Sequence, residues 1–130
     1  MKLTPCALLL SLLSFSAIAD CEEKYNLSLG SHNQAIDLHT LVAKSRDQAD
    51  NATTIEEKCR FLKSAQQQLP ETISAYEKCW KNVKKGIQAC VHTPNVDAVV
   101  EAGDSCLKGS ETSKEWAVSV KSELASTCKN

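Results

Sequence analysis

The 130 residues leave room for one domain. Fifteen basic side chains against sixteen acidic ones lack the basic excess with which proteins neutralise a phosphate backbone, so nucleic acid is excluded as the main partner. Two Trp, two Tyr and two Phe are few for a core of this size, which makes covalent support from the seven cysteines the first thing to look for.

In chain order, Lys2 precedes an apolar run from Ala7 to Phe15, and Ala17-Ile18-Ala19 forms an A-x-A cleavage site. That succession reads as a secretory signal peptide over residues 1–19. The apolar run is about nine residues, short of the roughly 20 that cross a bilayer. Cleavage after Ala19 leaves 111 residues from Asp20 to Asn130, and loss of Lys2 sets fourteen basic against sixteen acidic side chains, a net charge of −2. Residues 20–30 show no clear period and read as an extended N-terminal arm tied down by Cys21.

The rest, residues 31–130, reads as an all-α domain: a small antiparallel bundle of about five helices, cross-linked by disulfides. Ser31-x-x-Gln34 is a capping box opening a helix with Ala35, Leu38, Leu41, Val42 and Ala49 on one side. Thr53-x-x-Glu56 opens a second, with Ile55, Cys59, Leu62 and Leu69 in its stripe. Pro70 then suits the first turn of a third, where a missing N–H costs nothing. That helix has the clearest pattern: Ile73, Tyr76, Trp80, Val83, Ile87 and Cys90 alternate spacings of three and four. Gly86 within it would admit a close neighbour. Thr93-Pro94 starts a fourth helix, with Val96, Val99, Val100, Gly103, Cys106 and Leu107 on one side and Gly109 as its stop. Thr112-x-x-Glu115 opens a fifth, with Trp116, Ala117, Val120, Leu124 and Cys128 inward. Loops of two to five residues favour antiparallel neighbours.

Cys6 leaves with the signal, so the mature chain keeps Cys21, Cys59, Cys79, Cys90, Cys106 and Cys128. Six cysteines in a small exported domain point to three disulfides and an oxidising compartment, periplasmic or extracellular. The spacings contain no C-x₂-C or C-x₄-C pair and match no zinc module, so no metal is assigned. Cys79 and Cys90, eleven residues apart on one helix, are roughly 16 Å apart along its axis and must take different partners. The pairing is otherwise open among the 15 arrangements of six cysteines, with a preference for Cys21 pinning the arm and Cys128 closing a long loop.

Catalytic motifs are not found. His32 and His39 lie on one face but about 10 Å apart, too far for one metal, and His32, His39 and His92 read as surface residues. There is no G-x-S-x-G elbow, and Glu22-Glu23 and Glu56-Glu57 are adjacent pairs whose side chains diverge. No cofactor is called for, and the chain reads as a non-enzyme. Lys78, Lys81 and Lys85 form a basic strip opposite the third helix's apolar stripe, a candidate docking surface for a protein partner. Asn26 and Asn51 begin N-x-[ST] acceptors, relevant to glycosylation if the source is eukaryotic.

The nearest scaffold by plan is the insect odorant-binding group, also exported, helical and six-cysteine, but its cysteine spacing does not match and the family is not carried over. That pattern packs its second and third cysteines close together, whereas 19 residues separate Cys59 from Cys79 here and 21 separate Cys106 from Cys128. Saposin-like domains begin with C-x₂-C, which this chain lacks. The expectation is therefore an exported protein-binding module, an inhibitor or immunity-type protein acting in the periplasm. The alternative is a carrier of a small apolar ligand within the bundle, as in the odorant-binding group.

Overall fold

The computed structural model describes the backbone of residues 5–128 and the side chains of residues 16–128. Lys2, and the side chains of Cys6 and of Ala7 to Phe15 on which the leader reading rests, lie outside the described residues. Three helices follow one another: α1 (Pro5–Asp50), α2 (Ile55–Cys90) and α3 (Val96–Thr127). They run up, down and up, with α2 packed along both neighbours. The disulfides show the directions: Cys21 of α1 meets Cys90 at the end of α2, and Cys59 near the start of α2 meets Cys128 at the end of α3.

The buried positions explain the long helices. On α1, from Cys21 on, they are Cys21, Ser28, Ser31, Ala35, Val42, Ser45 and Ala49, spaced by three, four or seven residues. On α2 they are Leu62, Ala65, Leu69, Thr72, Tyr76, Cys79, Val83, Gly86 and Cys90, alternating three and four without a break. α3 follows the same rule through Val99, Gly103, Cys106, Ser110, Ser113 and Val120. A sustained seven-residue repeat keeps one seam facing its neighbours in a left-handed supercoil.

That repeat overrides the local breakers on which a count of five helices depends. Pro70 lies inside α2 rather than opening a third helix. It is exposed, as is Gln66, whose carbonyl loses its backbone donor, while Leu69 and Thr72 nearby are fully buried. The Pro penalty of roughly 3 kcal/mol is set against that burial. Gly109 likewise sits within α3. Residues 20–30 are not extended: they belong to α1, with Cys21 and Ser28 already in the repeat. The capping box of α2 is shifted by one residue. Thr54 is the N-cap, accepting from the Glu57 N–H at 3.1 Å, and Glu57 reaches back to the Thr53 N–H. Ser31 and Thr112 lie within helices.

Apolar stripes drawn on five short helices are partly misplaced as a result. Leu41 is 50% exposed and Ile55 67%, and Val100 and Leu107 also face solvent, because the seven-residue seam passes beside them. Residues 16–20 are all exposed, and Cys21 is the first buried side chain among the described residues. Asp20, Glu22 and Glu23 would lie in the first turn of a helix starting at Asp20, where acidic residues match the positive end of the dipole.

The core is built from small residues, which brings the helix axes close. A Cβ on Gly86 would sit 2.8 Å from Ser28 Oγ and 2.9 Å from Val99 Cγ1, and one on Gly103 2.7 Å from Val83 Cγ1. Several buried hydroxyls are satisfied within and across the helices. Ser28 Oγ bonds Lys24 O in its own helix at 2.8 Å and Asn82 O of α2 at 3.2 Å, Asn82 Nδ2 donates to Ser31 Oγ, and Ser45 Oγ donates to Gln68 Oε1 at 3.2 Å. Apolar burial falls into two clusters. One, around Cys21, Cys79, Val83, Val99 and Cys106, contains two disulfides, Cys21–Cys90 and Cys79–Cys106. The other, around Val42, Leu62, Leu69 and Val120, has Cys128 at its edge and the Cys59–Cys128 bridge alone. Such a thin core gains roughly 2–4 kcal/mol from each covalent closure.

Candidate functional site

The outer face of α2 is fixed by the same repeat that buries its inner face. Lys78 and Lys85 share one row seven residues apart, and Lys81 lies between them one row over. All three are exposed, as is Lys84. Lys84 Nζ lies over the Trp80 ring at 5.3 Å, a cation–π contact that holds its ammonium at the surface. The described residues contain two ion pairs, Lys58–Glu123 at 2.9 Å and Lys114–Glu77 at 3.9 Å, and none of Lys78, Lys81, Lys84 and Lys85 takes part in either. Lys78 to Lys85 cover about 10 Å of helix axis. The strip is therefore a positive patch whose lysines form no ion pair among the described residues, in a chain whose overall charge is slightly negative.

A second constellation lies where α1 meets α3. Tyr25, His32, His39 and Arg46 form a seven-residue row beside the α1 seam. His32 Nε2 is 2.8 Å from Ser105 Oγ. His39 is half-buried rather than fully exposed: its ring is edge-on to Tyr76 at 5.8 Å and tilted against Trp116 at 4.5 Å. Arg46 places its guanidinium 4.7 Å from the same Trp116 ring. His39 Nδ1 and the fully buried Ser113 Oγ have no hydrogen-bond partner. The seven-residue spacing of the two histidines is visible in the sequence. The aromatic pocket is not, because Tyr76 and Trp116 come from two other helices. His92 remains exposed in the α2–α3 connection.

Burial among these rings holds the His39 pKa below its usual 6.5, and no charged group contributes to the shift. The same burial pushes the Tyr76 phenol up. A base depressed by folding binds fewer protons than in the unfolded chain. The stabilising contribution of neutral His39 is complete above pH 6.5 and declines as pH falls from there through the lower folded value. Melting temperature should fall between about pH 7.5 and about pH 5 in the wild type, and fall less in His39→Gln. Thermal scans across that range check this. Equal slopes in the two proteins would refute it.

The third feature is an open groove of about 930 Å³ at the end of the bundle where α2 begins and α3 ends. Ile55, Glu56, Arg60, Lys63, Cys59 and Cys128 are among the residues that line it. A smaller open cleft of about 440 Å³ lies at the opposite end, between Cys21, Tyr25, His92 and Pro94. Its lining includes Ile18, which precedes the expected cleavage point.

The six cysteines from Cys21 to Cys128 are paired as Cys21–Cys90, Cys59–Cys128 and Cys79–Cys106. Cys79 and Cys90 do take different partners. Three disulfides place the chain in an oxidising compartment. No helix among the described residues is long and apolar enough to cross a membrane, and no group of three His, Cys, Asp or Glu among them is placed to hold a metal ion. The two glycosylation acceptors are exposed, Asn26 on α1 and Asn51 just past its end, where Asn51 Nδ2 donates to Asp47 O at 2.9 Å. Comparison of the chain with protein-family models, with curated proteins and with solved structures finds no match.

Proposed function

We propose that this chain, processed after Ala19, is an exported non-enzymatic module that binds one protein partner, of the inhibitor or immunity type and acting in the periplasm. The observation that carries the reading is the basic strip of Lys78, Lys81 and Lys85: exposed and outside any ion pair among the described residues, on a helix held by all three disulfides. Positive charge on a preorganised surface steers an acidic partner and lowers the ordering cost of binding. The partner is accordingly a protein with an acidic face, and association should weaken with salt.

Affinity capture from the native compartment should recover one stoichiometric protein. The variant Lys78→Glu/Lys81→Glu/Lys85→Glu should lose it while keeping its helical circular dichroism and melting temperature. Reversal of three charges should slow association by about tenfold or more at low salt, measured by surface plasmon resonance. Unchanged capture by the variant would refute the strip as the docking surface. A native mass spectrum showing a bound small apolar molecule and no protein partner would favour the carrier instead.

A further inference from the structure

We infer that Cys59–Cys128 is a redox clasp: of the three disulfides it is the one open to thiol–disulfide exchange, and its reduction frees the end of α3 while the opposite half of the bundle stays closed. The inference rests on where the three bridges sit. Cys79, Cys90 and Cys106 are fully buried, and Cys21, although it lines the smaller cleft, is only 2% exposed, so both other bridges belong to one apolar cluster. Cys59 and Cys128 are each only half-buried, and both line the wall of the open groove. A thiolate can approach a disulfide sulfur only where solvent reaches it, and access is among the factors that set the exchange rate. Arg60 and Lys63 in the same wall favour the approach of an anionic sulfur, partly offset by Glu56 and Glu57.

The step needs a thiol reductant, best a dithiol. Its thiolate bonds to one sulfur of the pair and expels the other as a thiolate. The reductant's second thiol then attacks the mixed disulfide, releasing the remaining protein sulfur and closing the reductant's own disulfide. Two electrons and two protons pass to Cys59 and Cys128. What remains at this end is the apolar contact of Val120 and Leu124 with the cluster around Leu62, and the exposed Lys58–Glu123 ion pair. No second bridge holds this half, whereas the other half has two. Opening is therefore local.

The test uses the processed, fully oxidised protein and limiting dithiothreitol near neutral pH, with acid quenching at intervals, alkylation of free thiols and peptide mapping. Cys59 and Cys128 should be labelled about tenfold or more faster than the other four cysteines. Hydrogen exchange at that stage should rise over residues 116–128 and stay slow over residues 21–35 and 79–106. The variant Cys59→Ala/Cys128→Ala should lack the fast phase and keep the slow one. Opening of either buried bridge first, simultaneous loss of all three, or a fast phase that survives in the variant would overturn the inference.

Discussion

Replacing Cys21 and Cys90 together by alanine is expected to lower the unfolding free energy by about 4 kcal/mol. The bridge closes a separation of 69 residues, and closures of that length restrict the unfolded chain most. Its position makes the loss hard to recover. Cys59–Cys128 and Cys79–Cys106 both join α2 to α3, so among the described residues Cys21–Cys90 is the only covalent tie between α1 and the rest beyond the short connection at residues 51–54. The side chains around it on α1 are small, with Ser28, Ser31 and Ala35 as the next buried positions, and they contribute little apolar area to hold the helix in place. Urea unfolding of the double variant gives the magnitude. Hydrogen exchange should locate the weakening at residues 21–35 and at the end of α2. A loss below about 1 kcal/mol would show that packing, rather than the bridge, holds α1.

Tyr76→Ala is expected to cost about 3–5 kcal/mol. Tyr76 is 4% exposed and sits at the middle of α2, touching the Cys79 cluster, the His39 ring and the backbone of α3 at Gly109. A Cβ on Gly109 would overlap the Tyr76 ring. Gly109→Ala should therefore destabilise by about 1–3 kcal/mol, although alanine gains about 1 kcal/mol over glycine in a helix elsewhere. The pair predicts a specific non-additivity. In Tyr76→Leu the second substitution, Gly109→Ala, should be much less harmful or stabilising, because the narrower side chain leaves the space a methyl needs. Denaturant midpoints for the four members of the cycle provide the test. Additive effects would mean that the ring and the glycine do not share one constraint.

The sequence makes some of this fold legible and hides the rest for identifiable reasons. All-helical character, antiparallel order and the inward cysteines follow from caps, period and spacing. The number of helices does not follow, because Pro70 and Gly109 are strong local signals whereas the run from Leu62 to Cys90 is a long-range one. Followed in phase, its alternation of three and four residues passes straight through Pro70. The extended reading of residues 20–30 fails for a related reason. The buried face of α1 there is Cys21, Ser28 and Ser31, which a hydrophobicity pattern does not register as a face at all. Of the candidate surfaces, the lysine strip can be read directly, since it lies on one helix. The environment of His39 and the groove beside Cys59 require side chains from separate helices, and no local pattern brings those together.

The disulfide pairing has a consequence for biogenesis. No bridge joins two cysteines that are neighbours along the chain: Cys21 passes over Cys59 and Cys79 to reach Cys90, and Cys79 passes over Cys90 to reach Cys106. A chain oxidised strictly in the order of its emergence would couple Cys21 to Cys59, which the bundle holds at opposite ends, about 46 Å apart along α2. Correct maturation therefore requires either that oxidation wait until residue 90 has emerged and α2 has folded back on α1, or that an early wrong link be exchanged afterwards. An exporting cell that oxidises thiols quickly must also supply a catalyst of disulfide rearrangement for this chain.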